Sequence, residues 1–176
     1  TAASSPVIAG VVGWLDLTDP GIGDAISGLR DRPGGDRLVG IRHQVHDEPD
    51  PDWLRRPDVR RGIAMVGSAG LAYDLLVRTR ELPAAVDTIR AIRDVRFVVD
   101  HLAKPPIRDG SIESWVEGTR PLGELPNVVA KVSGLVTEAD WAGWTVDDLV
   151  APVRHGLELF GPSRLLFGSD WPVCLV

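Results

Sequence analysis

The chain of 176 residues has a single cysteine, Cys174, so it cannot hold an internal disulfide framework. Such sparing thiol use fits a reducing compartment and predicts a cytoplasmic protein. No apolar run approaches the ~18 residues that a membrane span needs. Net positive charge is lacking too. The 19 Lys and Arg stand against 25 Asp and Glu, for a formal charge of -6. That balance argues against nonspecific binding to nucleic acid or to an anionic membrane. The opening residues, Thr1 to Pro6, have neither an initiator Met nor the basic start and apolar centre of a signal peptide. There is no low-complexity tail. No glycine-rich dinucleotide fingerprint follows an apolar run: Gly21-Ile22-Gly23 has no third glycine, and Gly34-Gly35 lies in a turn signal. Without these or a Walker loop, a nucleotide-binding reading has little support.

What is present is an alternation. Hydrophobic residues make up 44% and charged residues 25%, the composition of a globular domain with a real core. Apolar runs predict strands over 10–16, 38–43, 71–77, 96–101, 128–133 and 164–169. Helical periodicity fills the gaps. The segment 145–160 places Val146, Leu149, Val150, Val153, Leu157 and Phe160 on one face. Pro152 inside it predicts a kink or a late start. The segment 83–94 opens on Pro83, suited to a first turn, with Ala85, Ile89 and Ile92 as its stripe. Further helices are expected over 21–30, 58–67 and 112–125. The strand ends Asp16, His43, Asp74, His101, Ser133 and Asp170 recur roughly every 30 residues, the pitch of a repeated βα unit. That pattern implies a parallel sheet covered by helices. Six units form either an open doubly wound sheet or most of a (β/α)8 barrel, which usually needs ~250 residues.

Polar residues at the carboxyl ends of such strands face the crevice where α/β proteins do chemistry. Asp170 ends the apolar run Leu165-Leu166-Phe167 within Ser169-Asp170-Trp171-Pro172 and is a candidate working carboxylate. Asp100-His101 ends the apolar run Phe97-Val98-Val99, where a polar residue is tolerated only if functional or paired. His101 reads as functional, against the alternative of a hydrogen-bonded core histidine. Arg42-His43-Gln44-Val45-His46 follows Leu38–Ile41. Arg42 or His43 suits an anionic or hydroxylated substrate, since a guanidinium fork matches a carboxylate. Metal ligation by His43 and His46 together is the lesser reading. Lys131 and Ser133 share a face by alternation, so Lys131 either offsets substrate charge or forms a structural ion pair. Asp74 sits mid-strand and reads as structural. Trp14, Trp53, Trp141, Trp144 and Trp171 fall near strand ends, as an apolar wall around a small substrate or as plain packing.

Six motifs occur in order: Gly13-Trp14-Leu15-Asp16-Leu17, Gly40-Ile41-Arg42-His43, Tyr73-Asp74-Leu75-Leu76, Asp100-His101-Leu102-Ala103-Lys104-Pro105, Lys131-Val132-Ser133-Gly134-Leu135 and Phe167-Gly168-Ser169-Asp170-Trp171-Pro172. Together they resemble the amidohydrolase-2 family, the metal-dependent-type TIM-barrel hydrolases that include sugar-lactone and dicarboxylate-lactone hydrolases. The resemblance implies that residues 1–176 are a partial barrel domain holding strands three to eight. It implies that Asp170 is the general base on an attacking water and can bind a metal, with His101 in the same site. It further implies a divalent metal, zinc foremost, in the intact protein, although some lactonases of the group are thought to work without one. The family's His-x-His pair at the first strand has no counterpart: the four histidines are His43, His46, His101 and His155. That departure is expected if strands one and two are missing from this chain.

The expected activity is opening of a small lactone, a sugar lactone or a carboxylated one, by an Asp-activated water. Asp170 supplies the base, His101 or a metal polarises the carbonyl, and Arg42 or Lys131 meets developing charge. His43 and Trp171 complete the substrate contacts. The competing readings are a related decarboxylase and an inactive truncated fragment. The expected partner is a small molecule, with neither nucleic acid nor membrane involved. Unpaired edges at the third and eighth strands invite self-association.

Overall fold

The structure is a computed structural model and describes residues 4–175. Six strands, β1 (Val11–Gly13), β2 (Leu38–His43), β3 (Ala72–Leu75), β4 (Phe97–Val99), β5 (Val128–Val132) and β6 (Leu165–Phe167), form one sheet. Five helices connect them in turn: α1 (Ile22–Arg30), α2 (Pro57–Ser68), α3 (Leu82–Ala91), α4 (Glu113–Gly123) and α5 (Val146–Phe160). Every strand pairs in parallel with the next in chain order, so the sheet runs β1-β2-β3-β4-β5-β6. A doubly wound sheet reverses its order at a switch point. This one never reverses, so the open-sheet alternative falls and the fold is an incomplete (β/α) barrel.

Alternation along the strands divides two layers. Ile41, Tyr73, Leu75, Phe97, Val99, Val128 and Ala130 face the helices and are buried. Against them pack Ile26, Val59, Ile63, Ile89, Trp115, Leu122 and Phe160 in one apolar cluster. The intervening positions face the concave side. Arg42 pairs in register with Asp74, and Lys131 with Leu166, so charged residues line that side.

Each predicted element forms, most of them with different bounds. The strand expected over 96–101 stops at Val99, because Asp100 and His101 turn out of the sheet. The run 71–77 yields only Ala72–Leu75, and 10–16 only Val11–Gly13. Helix α5 starts at Val146 without delay. Thr145 caps it through a reciprocal box, its N–H and hydroxyl both donating to the Asp148 carboxylate at 2.7 and 3.0 Å. Pro152 forfeits one backbone donor, yet the helix runs through it to Phe160. No helix among the described residues is long and apolar enough to cross a membrane.

Candidate active site

The site lies at the carboxyl edge of the sheet, where β4 gives way to a left-handed turn. His101, Leu102, Ala103 and Lys104 have φ of 52°, 50°, 59° and 52°, and none is glycine. Each such residue costs about 1–2 kcal/mol relative to the right-handed form. Several bonds tie the turn down. The Lys104 N–H donates to the His101 carbonyl at 2.9 Å. The buried Trp115 indole N–H donates to the Leu102 carbonyl at 2.7 Å. The Lys104 ammonium pairs with the Glu138 carboxylate.

The turn carries the imidazole of His101 back across the end of the sheet. Its Nδ1 lies 2.8 Å from the Ser133 hydroxyl, beyond β5, and its Nε2 lies 3.6 Å from Asp170 Oδ1, beyond β6. Gly134 makes this possible. It has φ +60°, and a Cβ there would sit 2.5 Å from Asp170 Oδ2 and 2.8 Å from His101 Nδ1. The two side chains therefore rest against bare backbone. Asp170 also has positive φ, at 59°. Burial lowers the His101 pKa from its ordinary value, against the opposing pull of Asp100 and Asp170. The ring is thus neutral near pH 7, with Nδ1 and Nε2 in distinct roles.

Behind this pair runs a four-membered charge network. Arg42 Nη1 lies 3.2 Å from Asp100 Oδ2; Lys131 Nζ lies 2.6 Å from Asp100 Oδ1 and 2.5 Å from Asp74 Oδ2. Both carboxylates are buried. Desolvation and repulsion from Asp100 raise the Asp74 pKa, with Lys131 opposing. Burial works to lower the Lys131 ammonium, but Asp100 and Asp74 outweigh it and hold its pKa above the usual value. Lys131 therefore sits in the structural ion pair that was one of its two expected roles, and Asp74 is its partner. Arg42 is the more open cation, with 42% of its side chain exposed.

His43 stands apart from the His101 pair. Its Nε2 is 2.6 Å from Glu48 Oε1, and its ring stacks on Trp53 at 4.4 Å with Trp14 tilted at 6.2 Å. His46 turns to the Leu76 carbonyl at 3.4 Å and to Asp47 at 3.3 Å. Of the five tryptophans expected around the site, Trp53 is buried under His43, while Trp14, Trp141, Trp144 and Trp171 are exposed. Sequence reasoning passed over Trp115, Glu48 and the pairing of Asp100. The signal for Trp115 was there: an indole on the apolar face of a helix needs an acceptor for its N–H.

The spacing of His101 Nε2 and Asp170 Oδ1 suits two corners of one zinc sphere with bonds of about 2.0–2.2 Å. A catalytic zinc takes about three protein donors. Among the described residues no group of three or more His, Cys, Asp or Glu can hold an ion, so these residues do not make up a zinc site.

A parallel barrel with a neutral imidazole and a carboxylate at its carboxyl rim defines a class, the barrel proteins that gather their polar groups at that face. The sequence profile described as Amidohydrolase matches residues 3–176, and the chain belongs to that family. It is 41% identical over 184 residues to an L-fucono-1,5-lactonase of Burkholderia multivorans, covering 96% of this chain and 59% of that protein. It is also 41% identical over 174 residues to the L-fucono-1,5-lactonase of Burkholderia ambifaria, covering 98% and 58%. A crystal structure of a Burkholderia multivorans amidohydrolase with bound zinc superposes with a TM-score of 0.90 at 39% identity, covering 99% of this chain and 62% of that one. The chain thus spans about six-tenths of the length of the relatives it matches.

Proposed function

We propose that the protein opens small lactones by general-base hydrolysis, with Asp170 as the base and His101 beside it. The carrying observation is the Asp170–His101 pair, 3.6 Å apart on the bare face of Gly134, in a chain 41% identical to two L-fucono-1,5-lactonases. That separation exceeds a hydrogen bond and admits a water oxygen bonded to both groups. Asp170 takes a proton from the water as its oxygen bonds to the lactone carbonyl carbon. The tetrahedral intermediate then collapses, the ring C–O bond breaks, and the leaving alkoxide regains the proton from Asp170. The product is a hydroxy acid, which ionises near pH 7 and releases one proton to solution. His101, neutral and held at Nδ1 by Ser133, offers Nε2 to orient the water or the carbonyl. Arg42 meets charge on the carbonyl oxygen with the part of its fork that Asp100 leaves free. His43 and Trp171 contact the substrate's rim. Because Lys131 is already engaged by two carboxylates, the substrate class is a neutral sugar lactone ahead of a carboxylated one.

The test is Asp170→Asn, assayed by indicator-detected acid release from a panel of aldonolactones and carboxylated lactones. Asn keeps the shape but accepts no proton, and activity falls about 10²–10⁴-fold with the fold retained. Full activity in the variant removes this carboxylate from the mechanism. Release of carbon dioxide in place of ring-opened acid moves the assignment to a decarboxylase.

A further inference from the structure

The left-handed turn that presents His101 is held from the helical layer, and its main tether is Trp115. This indole is buried in α4, and its N–H donates to the Leu102 carbonyl at 2.7 Å, at the middle of four successive positive-φ residues. The tether is itself braced by α5. His155 packs edge-on to the indole at 4.8 Å between centroids, and its Nε2 lies 2.9 Å from the Thr119 hydroxyl. One residue on, Gly156 lets the Leu102 side chain in: a Cβ at 156 would lie 3.1 Å from both Leu102 δ-carbons. Leu102 is thus fixed by its carbonyl from α4 and by its side chain from α5.

We propose that Trp115 is a positioning residue for His101, its indole hydrogen bond to Leu102 fixing the left-handed turn that aims the imidazole between Ser133 and Asp170. A turn that disfavours L-residues at every position relaxes when its tether is cut. His101 is adjacent to Leu102 in the chain and moves with it. The proposal rests on the hydrolytic reading only for its kinetic consequence; the geometric consequence stands without it.

The experiment compares Trp115→Phe, which keeps an aromatic ring and loses the N–H, with Thr88→Val. Thr88 is buried in α3, away from the site, and its hydroxyl donates to the Leu54 carbonyl at 2.8 Å. Trp115→Phe loses one buried hydrogen bond and Thr88→Val loses two, since the Thr88 hydroxyl also accepts from Arg60 Nε at 3.2 Å, so a merely structural role predicts at least as large an effect from Thr88→Val. The first readout is the ring 15N spectrum of the histidines, with His101 assigned through His101→Gln. In Trp115→Phe the His101 signals shift or broaden while those of His43 stay; in Thr88→Val both stay. The second readout is lactone hydrolysis. In Trp115→Phe kcat falls about ten- to hundredfold with KM within about twofold, as expected when a reacting group is displaced by about 1 Å. A folded Trp115→Phe variant with His101 signals and kcat unchanged overturns the proposal. So does an equal loss of kcat in Thr88→Val, since general destabilisation then suffices. If Trp115→Phe does not fold, replacement of Trp115 by 3-benzothienylalanine decides: it keeps the bicyclic shape and loses only the N–H, and an unmoved His101 there overturns the proposal. If the unsubstituted protein opens no lactone, the hydrolytic reading falls, and the ring spectra alone decide this one.

Discussion

Gly134 is the position where one added methyl group most directly tests the site. In Gly134→Ala two costs arise and can be separated. The first is backbone strain at φ +60°, about 1–2 kcal/mol, offset in part by about 0.4–1 kcal/mol of lost freedom in the unfolded chain. The second is steric: the new Cβ would lie 2.5 Å from Asp170 Oδ2 and 2.8 Å from His101 Nδ1, where contacts need at least about 3.4 Å. Asp170 and His101 must therefore each retreat by a sizeable fraction of an ångström. Misplacement on the scale of 1 Å can cost about 10²-fold in rate. Gly70→Ala isolates the first cost, because Gly70 has φ +73° and a Cβ there meets nothing within 4 Å. Gly70→Ala should lose about 1 kcal/mol, a fall in Tm of about 2–4 °C for a domain of this size, and Gly134→Ala at least as much. Only Gly134→Ala should lose activity, by about 10²-fold in kcat. Calorimetry and the acid-release assay read the two quantities. Wild-type kcat in a folded Gly134→Ala variant refutes the placement of Asp170 and His101 against that backbone.

Two further outcomes follow from the charges. Lys131→Met strands the buried carboxylate of Asp74 and leaves Asp100 with Arg42 alone, and breaking a buried pair costs about 3–5 kcal/mol. With 24% of the Lys131 side chain exposed the lower end is expected, read as a fall in the urea midpoint; an unchanged midpoint with a raised KM would instead make Lys131 a substrate contact. Burial lowers the folded-state pKa of His101 below 6.5, so its contribution to stability is complete above 6.5 and is lost as pH falls through the lower folded value. Thermal denaturation between pH 7 and pH 5 should therefore show a shallower acid loss in His101→Gln than in the unsubstituted protein, and equal slopes refute the assignment.

The period of the fold was legible because the helix-facing residues of the parallel strands, with mostly apolar residues between them, read as short apolar runs. Leu38–His43 was bounded correctly at both ends for that reason. The strand ending at His101 was not, because left-handed backbone is usually announced by glycine or asparagine, and His101-Leu102-Ala103-Lys104 contains neither. His101 and Asp170 were identifiable one by one as polar residues after apolar runs. The family resemblance put them in one site, but their 3.6 Å approach was not legible, since it depends on Gly134, whose role lies in an approach distance. The charge network was half legible. Alternation put Lys131 and Ser133 on one face, but choosing between a substrate charge and an ion pair required the register that sets Arg42 opposite Asp74, and the turn that brings Asp100 to Lys131.

The balance of energies around the turn explains why the helical layer matters to the chemistry. Four left-handed residues cost about 4–8 kcal/mol together, against a typical domain stability of about 5–15 kcal/mol. Such a segment persists only where its surroundings over-determine it. Here the surroundings are specific: Ser133 and Glu138 from the loop after β5, Trp115 from α4 and Gly156 from α5. Asp100, one residue before the turn, is held between Arg42 and Lys131 on the concave side. The segment is thus clamped from inside the barrel by charge and from outside by packing, and His101 sits at the junction. Substitutions that loosen either clamp should act on the geometry of His101 before they unfold the domain, which is why a buried tryptophan one layer away belongs with the site in any account of its rate.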